Sequence, residues 1–507
     1  MRNLKLKVFL IIFCAMTIAS FAGTDPAYSI KIKVAGVKDS MCYLANYFGD
    51  KQYIHDSARS DAMGRYVFEG KEKLAGGIYL FVLPTRKYFE ILIDHDQNFS
   101  METDTLDLVK DMKIKGSNDN KVFYDYLNFI TSKGHEVEGY KAKMNSFKST
   151  EKADKGKSTN KDSSDYYKNK ILKVDTLVDQ YKKNFIKQNP DAFLTKVFNL
   201  SEEPKVPEAP ILPNGRKDST FAYHYYKAHY FDKIDFTDDR LLRTPVFHSK
   251  LSQYMKDLVM QMPDSINKEA DMLVEKARVN KEMFKSIVWW ITNTYETSNI
   301  MGLDAVFVHM AETYYTKDQA TWVDSTQLYK IQERARTLKP LEIGKQAQYI
   351  ILQDTLGQWK SLYDIKAKYT ILVFWDPDCG HCQKAIPKLI KWYQVAKPYG
   401  IEIFAANSAV EEEKWKKFIR EKGLNWINVA DINLHNNFRH EWDIVTTPQI
   451  YVLDENKKII AKRLDPETLA DFIKRKLKEE GKDINYNDLE FLKNKKDKED
   501  IYAPEKE

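Results

Sequence analysis

The stretch that decides the fold runs from Tyr369 to Lys391, YTILVFWDPDCGHCQKAIPKLIK. Its apolar run, Ile371-Leu372-Val373-Phe374-Trp375, is short, continuous and β-favouring, which predicts a buried strand. Asp376-Pro377-Asp378 reads as a turn, and Cys379-Gly380-His381-Cys382 follows it. Ala385, Ile386, Leu389 and Ile390 then recur at helical spacing. A helix starting at Cys379 leaves its first N–H groups unpaired and turns its positive dipole end toward that sulfur, which favours a thiolate. Two intervening residues let the sulfurs face each other across the first turn, so a disulfide can close and reopen.

Four chemistries compete for this cysteine pair. Haem attachment needs a histidine directly after the second cysteine, and Gln383 stands there instead. Zinc needs a second ligand pair at suitable spacing, but the chain has no other CxxC and its histidines are scattered. Peroxidatic sites place a threonine three residues before a lone cysteine, where this chain has Asp376. A redox dithiol is the preferred reading.

These residues resemble the thioredoxin superfamily. The likeness rests on Phe374-Trp375, the CxxC, and Pro387 eight positions after Cys379. It extends to Val445-Thr446-Thr447-Pro448-Gln449-Ile450-Tyr451-Val452-Leu453, which looks like the superfamily's cis-proline loop entering a strand. The resemblance covers about residues 341–482, and the long interval from Cys382 to Pro448 has room for an extra βα element, as in envelope thioredoxins of the TlpA/ResA type. It implies an α/β thioredoxin-like fold with a redox disulfide Cys379–Cys382. Cys379 would be the nucleophile, Cys382 the resolving thiol and His381 a stabiliser of the thiolate, while Thr447 and Pro448 receive the substrate backbone. No organic cofactor and no metal are implied. Two departures stand out: Val373 occupies the place of thioredoxin's buried acid, and Ala385 that of the ResA-type glutamate. The proton acceptor for Cys382 is therefore open.

Outward from this core, 507 residues are too many for one domain and suggest three. Residues 1–22 read as a signal peptide: a basic start, the apolar run Val8–Ala15, and Ser20-Phe21-Ala22 as a cleavage site. An uncleaved anchor is the alternative, and the expected location is the periplasm or cell envelope. Arg2, Lys5 and Lys7 supply three of the net six positive charges, so the remainder is too small to argue for nucleic acid. Of four cysteines, Cys14 falls in the signal segment, which leaves too few for a disulfide-stapled scaffold. Cys42 reads as a small buried hydrophobe in a strand rather than a regulatory thiol.

Residues 23–117 alternate in short runs separated by turn signals, which predicts an antiparallel β sandwich-like domain. Residues 118–340 change to helical period, interrupted at 148–165 by a polar stretch read as a disordered loop. These segments resemble the uncharacterised β-rich and helical parts that precede thioredoxin modules in bacterial envelope proteins. Within the helical part, the aromatic stretch Phe221–Phe236 with His224 and His229, and Trp289-Trp290, read as core packing. Residues 483–507 read as a disordered charged tail.

The expected function is an envelope thiol–disulfide oxidoreductase that reduces or isomerises protein disulfides. Its partners would be protein thiols and disulfides, with a membrane-anchored thiol carrier as electron donor. The alternative is an envelope binding or scaffold protein, whose front modules recognise an envelope partner and whose dithiol is a sensor or secondary activity. A cationic imidazole at His381 would lower the Cys379 pKa and place the potential between about −270 and −180 mV.

Overall fold

The computed structural model describes residues 26–151 and 159–493. The expected signal segment, Cys14 within it, and residues 494–507 lie outside that range. Among the described residues no helix is long and apolar enough to cross a membrane. Contacts divide the chain into two units, one reaching Asp235 and adding Arg240–Lys250, the other comprising Phe236–Asp239 and everything from Leu251.

The first unit carries eight strands: β1 (Tyr28–Ala35), β2 (Met41–Phe48), β3 (Lys51–Arg59), β4 (Arg65–Gly70), β5 (Gly77–Val82), β6 (Tyr88–Ile93), β7 (Asn98–Asp104) and β8 (Lys113–Lys115). They form two four-stranded sheets, ordered β4-β1-β7-β8 and β3-β2-β5-β6. Side chains such as Ile30, Ile32, Leu80, Phe81 and Ile91 are buried, and β5 is buried on both faces rather than alternating. The pairing is antiparallel except for β1 with β7, which run parallel. Cys42 is fully buried in β2, as a small hydrophobe would be.

Two long helices follow, α1 (Asn118–Glu151) and α2 (Thr159–Gln188), then α3 (Phe193–Ser201) and α4 (Phe221–Ala228). The expected loop at 148–165 is thus helical at both margins, and only 152–158 fall outside the described residues. Expected core packing along Phe221–Phe236 holds only for its second half. Helix α4 buries no residue, and the packing starts at Tyr230 and Phe231.

The second unit holds more helices: after α5 (Pro245–Gln253), which straddles the division, come α6 (Pro263–Ala277), α7 (Lys281–Glu296), α8 (Asp304–Tyr314) and α9 (Ser325–Leu338). By contacts, the later helices of the region expected over 118–340 group in one compact unit with the C-terminal module. Trp289 departs from the core reading, being 48% exposed on α7.

The C-terminal module is a seven-stranded sheet in the order β10-β9-β13-β12-β11-β14-β15. Its strands are β9 (Ile351–Asp354), β10 (Trp359–Ser361), β11 (Tyr369–Trp375), β12 (Ile401–Asn407), β13 (Ile427–Ala430), β14 (Gln449–Leu453) and β15 (Ile459–Lys462). Every residue of β11 is buried, as its continuous apolar run requires of a central strand. It pairs parallel with β12 and antiparallel with β14. Helices α10 (Gly380–Ala396), α11 (Glu412–Lys422) and α13 (Pro466–Glu479) supply Ile386, Trp392, Trp415 and Ile473 to the core on one face. The other face is filled by Leu341, Ile350 and the short α12 (Phe438–Glu441) with Trp442.

One boundary shifts. Ile484, Tyr486 and Leu489 are buried in the α10–α13 core, so the module continues past the expected end at 482. The described part of the tail read as disordered from 483 includes a helical turn, α14 (Glu490–Lys493).

Candidate functional site

The central strand β11 delivers the chain to Asp376 at its C-terminal end, and α10 begins immediately after Cys379. Cys379 occupies the N-cap with extended backbone, φ −77° and ψ 118°. Its sulfur consequently faces the helix's first free amides. Pro387 lies inside α10 without ending it, where the resemblance places a kink.

Across from α10, the segment preceding β14 brings Thr447 and Pro448 to the same spot, and the Thr447–Pro448 peptide is cis. Cys379 Sγ donates to the Thr447 carbonyl at 3.2 Å. Cys379, Cys382, Thr447 and Pro448 are thus brought together as the motifs predict. Both cysteines are free thiols, with Cys379 partly exposed and Cys382 completely buried.

The environments push the two thiols apart. Burial alone would raise Cys379, but the Thr447 side chain, the Cys382 amide and thiol, and the His381 amide outweigh it and hold its pKa below the ordinary value. These amides close no cap hydrogen bond to the thiol; they favour the thiolate. Cys382 is pushed up to about 12, mainly by burial, against the Asp376 amide, which donates to its sulfur at 3.5 Å. An activated outer thiol beside a protonated inner one can attack first and resolve second.

His381 is exposed, and the contribution it makes to the Cys379 thiolate is that of its backbone N–H. Val373 and Ala385, at the positions where an acid was missed, are both buried. Asp378 faces solvent and pairs with Lys414 at 2.6 Å.

A groove of about 780 Å³ opens beside the dithiol, lined by His381, Lys384, Thr447 and Pro448, with Arg334, Asp443 and Arg463 on its far wall. The far wall was missed in sequence. Arg334 sits on α9, 109 positions before Asp443, and no local pattern links the two.

This fold and dithiol define a class, the thioredoxin-like domains with a redox-capable CxxC. Residues 343–462 match the AhpC/TSA family, and this module is an AhpC/TSA-type thioredoxin-like domain. Residues 28–123 and 148–339 match two domains of unknown function, DUF4369 and DUF5106. The module is similar to thiol-disulfide oxidoreductase ResA of Bacillus cereus, 26% identical over 128 residues, which are 25% of this chain and 73% of that protein. ResA of Bacillus subtilis is 27% identical over 117 residues, 23% of this chain and 64% of that protein. Among solved structures, a domain of a possible thiol-disulfide isomerase from Cytophaga hutchinsonii is 48% identical, with 28% of this chain and 96% of that one covered and a TM-score of 0.27.

Proposed function

We propose that this chain is a thiol–disulfide oxidoreductase of the bacterial envelope that reduces or isomerises protein disulfides through Cys379 and Cys382. The observation that carries the reading is the asymmetry of the pair. A partly exposed thiol with a lowered pKa stands at a helix start beside the Thr447–Pro448 loop, and a buried thiol raised to about 12 stands behind it.

The Cys379 thiolate attacks one sulfur of a substrate disulfide, forming a mixed disulfide and releasing the other sulfur as a thiolate that takes up a proton. Cys382 then attacks Cys379 Sγ. Cys382 reacts as its thiolate, and the second substrate sulfur departs as a thiolate that takes up the proton released. Two electrons leave the dithiol, the substrate becomes two thiols, and Cys379–Cys382 becomes a disulfide. When the mixed disulfide is instead attacked by another substrate thiol, the outcome is isomerisation and the dithiol is regenerated.

The envelope assignment is supported by the basic start and apolar run of residues 1–22. In that compartment a membrane-anchored thiol carrier would return the two electrons. The front modules would select an envelope partner.

The deciding experiment is the reduction potential, measured by equilibration with glutathione or dithiothreitol and thiol counting, with Cys382→Ser as control. A value near about −270 mV identifies a reductant, and one near about −180 mV favours shuffling or oxidation. Failure to form an intramolecular disulfide would sink the reading.

A further inference from the structure

The groove beside the dithiol is lined by four segments of the chain: α9 at Arg334, the start of α10, residues 443–449 and residues 463–467. Its inner wall is the start of α10 and the Thr447–Pro448 loop, and its far wall includes Arg334 from α9. Helix α9 is fixed at its own start, where the Asp324 carboxylate accepts from the Thr326 and Gln327 amides, each at 2.8 Å. It therefore presents Arg334 from a defined element rather than a loose chain.

Asp443, which Arg334 meets, is an unusual residue. It follows α12 with a left-handed backbone, φ +50°, and its side chain is only 6% exposed. The Arg334 guanidinium binds Oδ1, and the Arg463 guanidinium binds Oδ2 at 3.3 Å. A buried carboxylate held by charge-assisted hydrogen bonds on both oxygens has little freedom to move. Directly after it, the Val445 amide donates back to the Asp443 carbonyl at 3.0 Å. Then come Thr446, Thr447 and Pro448. Val445 is 75% exposed while Thr447 and Pro448 are half-buried, so the loop is anchored at its root and most open at its start.

We propose that Arg334 is a positioning residue for polypeptide substrates: it fixes the root of the Thr447–Pro448 loop through Asp443, and so makes the helical region part of the client groove. A segment flanking the target disulfide would lie along the loop, and its binding depends on where that loop is held. Arg334 touches neither sulfur, so its effect falls on substrate binding rather than on the chemical step.

The inference rests on the oxidoreductase reading, and the test separates the two. The full chain is assayed for dithiothreitol-driven reduction of insulin and, separately, of 2-hydroxyethyl disulfide. Arg334→Ala is expected to raise KM for insulin about tenfold with kcat within about twofold. Arg334→Lys, which keeps the charge but not the fork, should recover part of the loss. Asp443→Asn should act in the same direction as Arg334→Ala. Arg336→Ala, which removes an exposed arginine of the same helix paired with Glu333, should match the unaltered chain. An insulin KM for Arg334→Ala within about twofold of the unaltered chain, or a fall in kcat with KM held, overturns the inference. Should Arg334→Ala not fold, the KM of Arg334→Lys decides, and a value equal to that of the unaltered chain counts against the proposal. If the unaltered chain reduces neither substrate, the oxidoreductase reading itself fails.

Discussion

Cys379 Sγ lies 3.2 Å from the carbonyl oxygen of Thr447, and the Thr447 side chain favours the thiolate of both cysteines. The carbonyl can only accept, so it holds the thiol's proton, whereas the hydroxyl can donate to the sulfur once the proton has gone. Thr447→Val keeps the carbonyl and removes the hydroxyl. The charged form then loses a donor, so the Cys379 pKa moves up. Alkylation of the reduced protein by iodoacetamide should slow at neutral pH and reach the unaltered rate at high pH. An unchanged pH profile would show that the helix amides alone set the thiolate.

The second prediction concerns order of reaction. Cys382 is raised to about 12 and Cys42 is raised by its own burial, while Cys379 is lowered. In the folded, reduced chain at pH 8, brief alkylation should therefore modify only Cys379 among the three described cysteines, as read by peptide mass spectrometry. With a disulfide-containing protein, Cys382→Ser should accumulate a mixed disulfide through Cys379, and Cys379→Ser should accumulate none. Mixed disulfides forming through Cys382 would reverse the assigned roles.

What was legible beforehand follows the range of the interactions. The β11 run, the cysteine pair and the Thr447–Pro448 segment carry their meaning within a few residues, and each lies where its pattern placed it. Arg334 with Asp443 and Asp304 with Lys462 could not be read, because those partners are distant in sequence and meet only after folding. Ile484, Tyr486 and Leu489 were hidden for another reason. They are spaced apolar residues in a charged stretch, and average composition concealed the three side chains that pack. Trp289 shows the converse, since an aromatic in an apolar helix need not face inward.

That closing segment leads to the third prediction. The Trp392 indole N–H donates to the Tyr486 hydroxyl at 3.0 Å, in the interior beneath α10. Tyr486→Phe leaves the indole donor unpaired and should cost about 1–3 kcal/mol. Ending the chain after residue 482 should cost more, because it also exposes the surfaces that Ile484 and Leu489 cover, at about 1.5–3 kcal/mol for each side chain. Urea denaturation of the full chain and both variants, followed by tryptophan fluorescence, measures this. Equal midpoints would mean that the segment lies on the core without stabilising it.

The last prediction concerns the edge of the sheet. Lys462 ends β15, the outermost strand on that side, and its Nζ lies 2.6 Å from Asp304 Oδ2 and 2.7 Å from the Leu341 carbonyl. The two side chains are 2% and 5% exposed, so neither charge is solvated in place of its partner. The Lys462 amide, unpaired by any further strand, reaches Met301 Sδ at 3.4 Å. Residues 301–304 thus cover the edge strand, and the ion pair fixes them there. Lys462→Met strands a buried carboxylate and should destabilise this unit by about 3–5 kcal/mol. Replacing both partners, Lys462→Met with Asp304→Leu, removes the desolvation cost along with the attraction and should lose much less. Equilibrium unfolding of the two singles and the double gives the coupling energy directly. Additive losses would show that the charges act independently, whereas a double variant more stable than Lys462→Met alone would show that the cost lies in the unpaired charge.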